Sequence, residues 1–366
     1  MLWLWMSVAL GSDLKAGLGA CADDDLRGAL APLDAALSDT IKPKWRAEAL
    51  VCRARGILSL DEAKRGPRVA QAADDLIAAM EAGAKGDEVD AARKSVAGLQ
   101  LAAVMQAFSP SGSQDQQRAA LPLIEQSIAL HDTAFARALA TSAALPDDLG
   151  RAAAHGLAGL TSADLDGTDI SVVMICLSPF EALLAAERTD EAAKLLARAE
   201  AVLPGADADP ELRATAEVNM AKMKLMVQLA EPKLDVKALE AQAATAPADY
   251  ELLVELGTRL LQHGAETPGA AVMERAEALD PSRVTAPYNL GAHYLLQAAQ
   301  IGGGVPSSSE QQQQVRALLD KALPALRRAQ ASAPSDRATL EAILVVCEQV
   351  GDTACVAQTI QSLGSP

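Results

Sequence analysis

The chain has 366 residues, 50% hydrophobic but only 2% aromatic, and its 48 acidic against 32 basic side chains leave a formal charge of −16. So much apolar matter excludes disorder throughout, and so few aromatic residues exclude a β-sandwich or barrel, whose strands draw on aromatic and β-branched side chains. A surface this acidic repels phosphates, which argues against a general nucleic-acid binder.

Residues 1–22 form an N-terminal segment of their own. The run Met1 to Gly11 is apolar but too short for a bilayer, which takes about 20 apolar residues. Its length suits the h-region of a signal peptide, although no Lys or Arg precedes it and Asp13 and Lys15 interrupt it. Leu18-Gly19-Ala20-Cys21 resembles the lipobox of bacterial lipoproteins, in which Cys21 would carry the lipid, and Ala20-Cys21-Ala22 also fits an A-x-A cleavage site. The other reading is a buried helix start, with Trp3 and Trp5 packed on the second helix. Cytoplasmic and exported (periplasmic or envelope) locations both stay open, with membrane contact only through a lipid on Cys21.

Residues 23–170 read as degenerate helical hairpins without a secure repeat phase. Pro43, Gly66-Pro67, Ser109 to Ser113 and Pro146 break the chain into helix-sized pieces. Between them Trp45 to Leu60 and Val69 to Gly83 carry small and apolar residues at helical spacing. Ile170 to Leu177 (ISVVMICL) is the one β-rich window, and its length fits a strand or a buried helix equally.

From residue 171 to 366 the pattern becomes repetitive. The segment Tyr250 to Arg283 has Leu256-Gly257 in the first helix, Gly264 at a turn, Gly269 and Ala276 in the second helix, and Pro281 at its end. Leu253, Leu260 and Met273 stand around them. In length and pattern the segment resembles the tetratricopeptide repeat (TPR), whose paired helices cross closely where small residues leave the backbones room. Leu290, Gly291 and Tyr294 restore the first-helix pattern one full repeat further on, and Ala322, Leu326, Ala329 and Pro334 complete a second unit. From Pro281 to Pro334 is 53 residues, one repeat plus a 19-residue insertion centred on residues 301–314, which lack apolar periodicity and read as an exposed, mobile loop. Lys321 to Leu326 (KALPAL) resembles a motif of TPR proteins with an extended hairpin. Arg337 to Leu363 reads as a capping hairpin, and Ala192, Leu196, Ala199 and Pro204 match an earlier second helix.

The resemblance implies an all-α, right-handed solenoid of helical hairpins that binds a protein or peptide in a groove lined by the first helices. By repeat position the groove residues are Val254, Glu255, Thr258, Gln262, Tyr288, Asn289, Ala292 and Leu295. Asn289 matches an Asn that many peptide-binding TPRs use. The basic clamp for a terminal carboxylate is missing, because Val254, Ala338 and Ala342 occupy its places. The negative field favours basic or neutral partners over acidic ones. The function so implied is a non-catalytic scaffold or assembly factor. The alternative is an exported envelope lipoprotein that organises a complex or holds a small ligand.

Nothing in the sequence assembles a catalytic site, a metal site or a cofactor site. Gly302-Gly303-Gly304 lacks the Lys and Ser/Thr of a phosphate-binding loop, and Asp164, Asp166 and Asp169 depart from EF-hand order. No two of the five cysteines show C-x-x-C spacing. Cys347 and Cys355 flank the Gly351-Asp352 turn closely enough for a disulfide; two reduced, buried thiols are the other reading.

Overall fold

The computed structural model describes residues 11–38, 41–165, 167–231, 233–302 and 308–364. The apolar run with Trp3 and Trp5, Asp166, and residues 303–307 of the insertion lie outside these. Among the described residues all regular structure is helical apart from an isolated bridge between Asp169 and Asp207, so the chain is an all-α array of helical hairpins. It divides into two compact units between Ala216 and Glu217.

The first unit contains α1 (Ser12–Ala22), α2 (Leu30–Leu37), α3 (Pro43–Leu58), α4 (Glu62–Arg65), α5 (Val69–Glu81), α6 (Asp87–Val104), α7 (Gln114–Leu130), α8 (Ala134–Ala144) and α9 (Leu149–Gly159). After these come α10 (Ile170–Cys176), α11 (Phe180–Ala185) and α12 (Thr189–Val202). The breakers of the sequence become helix starts. Pro43 opens α3, where its missing N–H costs nothing. Ser113 and Gln116 form a reciprocal capping box on α7, and Thr133 and Asp148 cap α8 and α9. Successive helices pack as pairs, α3 on α5, α6 on α7 and α8 on α9.

The first unit's core falls into local clusters rich in alanine, among them Ala54, Ala72, Ala73 and Ala136 to Ala144. Small side chains let helix axes approach, and Gly156 takes this furthest. A Cβ there would run into the carbonyl oxygen of Cys176. The β-rich window is helical: Asp169 accepts from the Ser171 N–H, and Ile170, Val172, Val173 and Cys176 bury the short helix on most of its faces. Asp164 accepts from the Ala134 N–H, so this loop's carboxylates serve helix starts.

The second unit takes in the later part of α13 (Pro210–Ala230), then α14 (Val236–Ala243), α15 (Tyr250–Gln262), α16 (Glu266–Leu279), α17 (Thr285–Gly302), α18 (Ser309–Ser332), α19 (Arg337–Val350) and α20 (Thr353–Gly364). Its core is a single cluster running from Leu225 to Cys355. In the hairpin α15–α16, a Cβ on Gly257 would lie 3.2 Å from the Gly269 carbonyl oxygen and 3.0 Å from Met273 Cγ. In α17–α18 the same place is taken by Gly291, whose added Cβ would sit 2.6 Å from Leu326 Cγ and 3.2 Å from the Ala322 carbonyl oxygen. The two crossings occupy equivalent positions of consecutive repeats.

The insertion differs from the loop read in the sequence. α17 continues through Ile301 to Gly302, and Ser309 to Gln314 already belong to α18. Ser308 accepts from the Gln311 N–H while the Gln311 side chain accepts from the Ser308 N–H, a capping box that starts the helix in a stretch without apolar periodicity. The insertion thus lengthens the hairpin, and most of its described part is exposed because it extends beyond neighbouring helices.

Gly257→Leu should lower unfolding free energy by about 1–3 kcal/mol through overpacking, read by denaturant titration; an unchanged midpoint would mean that the crossing tolerates a branched side chain. A second expectation concerns Asp249, which caps α15 through the Leu252 N–H and pairs with Lys222 of α13 at 2.8 Å. Burial works to raise its pKa, but Lys222 and the backbone N–H outweigh burial and hold the carboxyl below its ordinary range. Such a group stabilises the fold above the unfolded value of about 3.9 and loses that contribution as pH falls through the depressed value. Asp249→Ala should therefore cost about 1 kcal/mol near neutrality, with the gap to wild type closing below pH ~3.9. A gap independent of pH would contradict this.

Candidate partner-binding face

The first helices α15 and α17 lie side by side, as do α17 and α19. Tyr250, at the start of α15, accepts from the Ala286 N–H at the start of α17 at 3.2 Å, and Arg283 stacks 4.0 Å over its ring. Asn289 Nδ2 donates to Thr258 Oγ1 at 3.4 Å. These contacts hold consecutive first helices in register.

With α15 and α17 so held, three rows share one face, and the repeat spacing extends each row to α19. Glu255, Thr258 and Gln262 recur at i, i+3 and i+7 on α15. Asn289, Ala292 and Leu296 take the same places one repeat later on α17, and Ala342, Val345 and Gln349 take them on α19, beyond the insertion. All nine are exposed or half-buried. The middle row, Thr258–Ala292–Val345, is small or apolar, and Leu296 is 60% exposed. Glu255 is the one acidic side chain of the nine, and Arg259 pairs with it at 2.7 Å. α17 contains no Asp, Glu, Lys or Arg. Burial holds the pKa of its His293 below the ordinary histidine value, outweighing nearby Glu266, so the imidazole adds no charge at neutral pH. A nearly neutral strip thus lies on a chain of charge −16.

The groove residues read from the sequence divide in the structure. Glu255, Thr258, Gln262, Asn289 and Ala292 lie on the shared face. Val254 does not offer surface: it is 8% exposed and belongs to the core, because α15 is packed by neighbours across a wider arc than the repeat pattern assigns. Tyr288 and Leu295 are half-buried and pack against the same core. Leu296 and Val345 were missed as face residues, and Ala342 was read only as a missing basic clamp position. The signal was their offset from Gln262 and Ala292, which is one repeat from Gln262 to Leu296 and one repeat plus the insertion from Ala292 to Val345.

In the first unit several charged side chains pair with one another. Arg53 clasps Asp75 through two bonds of 2.7 and 2.8 Å, and burial raises the Asp75 pKa although Arg53 opposes it. His155 lies between Arg137 and Glu125, 3.1 Å from each, and Arg151 binds the same Glu125. Among the described residues no group of three or more His, Cys, Asp or Glu is placed to hold a metal ion.

Sulfur pairing ties the first and the last described helices to another helix. Cys347 is bonded to Cys355 across the α19–α20 turn, with Cα atoms 5.8 Å apart. Cys21 lies inside α1 and is bonded to Cys52 of α3, with Cα atoms 6.1 Å apart. A sulfur so bonded has no valence for a lipid thioether, so this pairing and lipidation of Cys21 exclude one another. Cys176 stays free and buried, and burial pushes its thiol up to about 12. No helix among the described residues is long and apolar enough to cross a membrane.

No model of a known protein family matches the chain, and no curated protein matches it. Among solved structures it is similar to yeast Tom70, at 12% identity and a TM-score of 0.33 over 94% of this chain and 82% of that one. It is also similar to the TPR domain of P58(IPK), at 14% identity and a TM-score of 0.24 over 93% of this chain and 98% of that one.

Proposed function

We propose that the chain is a non-catalytic interaction scaffold that binds a peptide or partner helix across the first helices of its second unit. The observation that carries this reading is the row Thr258–Ala292–Val345, three small or apolar side chains repeated in register on adjacent helices. Such a row accepts an extended or helical segment lying across it, because alternate side chains of the ligand meet equivalent positions. The strip attracts neutral, apolar residues, while the surrounding negative field favours basic flanks and speeds their encounter. Asn289, fixed by Thr258, is placed to orient a ligand backbone by hydrogen bonding.

A peptide library displayed on phage tests this directly. Selection should enrich short apolar cores flanked by Lys or Arg, and Ala292→Arg or Val345→Arg should weaken the selected peptide at least about tenfold, or 1.4 kcal/mol, with little change in melting temperature. Val345 is exposed and Ala292 half-buried, so the fold should survive, and Val345→Arg is the cleaner variant. Rising salt should slow association more than it speeds dissociation. Peptides that bind the two variants as tightly as the wild type would place recognition elsewhere.

A further inference from the structure

A helix that buries few side chains is held weakly by packing alone. The first and last described helices show that weakness in their burial. α1 buries only Leu14 and Gly17 of its eleven residues, and α20 buries only Cys355 and Thr359 of its twelve. Helices with so little buried apolar surface detach readily. In both places a sulfur pair joins the outer helix to a neighbour: Cys21 in α1 to Cys52 in α3, and Cys355 in α20 to Cys347 in α19. Four of the five cysteines are used this way.

The fifth is kept out of the chemistry. Cys176 sits in the first unit, fully buried beneath Gly156 and Gly159. The thiolate is the species that attacks a disulfide, so a thiol this deeply buried is a poor exchange partner. Cys21, by contrast, is partly exposed on the wall of a cleft of about 1140 Å³ that it shares with Leu18, Pro43, Cys52 and Lys85. A disulfide oxidant can reach it there.

We propose that the working form of this chain is doubly oxidised, with Cys21–Cys52 and Cys347–Cys355 as clasps on two thinly packed helices, and that Cys21 is a cross-linking residue rather than a site of lipid attachment. Forming each clasp removes two protons and two electrons from a pair of thiols. One sulfur–sulfur bond forms in the chain while the bond of a dithiol–disulfide oxidant breaks, and the oxidant leaves as a dithiol. The chain therefore matures where such an oxidant prevails over reducing thiols, an oxidising compartment. The 31-residue separation of the first pair constrains the unfolded chain more than the 8-residue separation of the second. Loss of the first clasp should thus lower the melting temperature more.

The test is thiol trapping in the cells that make the protein. Acid quenching followed by denaturation with N-ethylmaleimide, then digestion without reductant, should give one maleimide-labelled site, Cys176, and two cross-linked peptide pairs, Cys21 with Cys52 and Cys347 with Cys355. Reductant before labelling should raise the labelled sites to five. In Cys52→Ser, Cys21 should become labelled while far-UV circular dichroism stays helical. Should that variant not accumulate, the map of the unaltered chain still decides. Maleimide on Cys21 or Cys52 in the trapped wild type, a lipid on Cys21, or cross-links between the two pairs would overturn the proposal. None of these results depends on whether a peptide binds the first-helix face.

Discussion

The second unit rests on the close approach of paired helices at positions that carry no side chain. At Gly257 the opposing atoms are the Gly269 carbonyl oxygen and Met273; at Gly291 they are Leu326 and the Ala322 carbonyl oxygen. With those distances set, Leu253, Leu256 and Leu260 on one helix reach Val272 and Met273 on the other, and all are essentially excluded from water. Burial of each such side chain is worth about 1.5–3 kcal/mol, so the crossings bring within range the apolar contacts that offset chain entropy. The face for a partner follows from the same constraint. Hairpins that cross alike stack alike, and their first helices then present equivalent positions in register.

The two units meet this requirement by different means. In the second, glycine at a few crossings combines with leucine around them, and one core runs from Leu225 to Cys355. In the first, alanine takes over much of the work, giving several smaller cores. Alanine buries less apolar area per residue, so charged groups also enter the interior, as the Arg53–Asp75 clasp shows. Buried pairs of that kind add little net stability but are costly to break. The first and last described helices bury two residues each, and a sulfur pair joins each of them to a neighbouring helix.

How much could be read from the sequence depended on whether a feature was periodic. Gly257, Gly269 and Gly291 were legible because one geometry recurs with each repeat, and Ala276 and Ala329 were legible for the same reason. Val254 was misplaced because a repeat pattern gives a position but not the width of the buried arc around a helix. Leu296 was passed over because the repeat pattern assigned the groove position to its neighbour Leu295, which packs against the core. The insertion read as a loop because Gln and Ser carry no apolar signal, although Ser308 and Gln311 form the capping pattern that marks a helix start. The pairing of Cys21 with Cys52 was not legible: the partners lie on helices separated by α2 and two turns, in a region without repeat phase. Ile170 to Cys176 became a helix because Asp169 caps it and packing surrounds it, neither of which the window itself contains.

The central claim is that the crossings of α15–α16 and α17–α18 lock the second unit into one core. Native-state amide hydrogen exchange tests it most directly. Slow amides in α15, α16, α17 and α18 should exchange through a shared opening, with one common free energy and one common dependence on denaturant. Exchange in which each hairpin opens at its own free energy and its own denaturant dependence would show that the hairpins are independent, and that the crossings do not bind them into a single core.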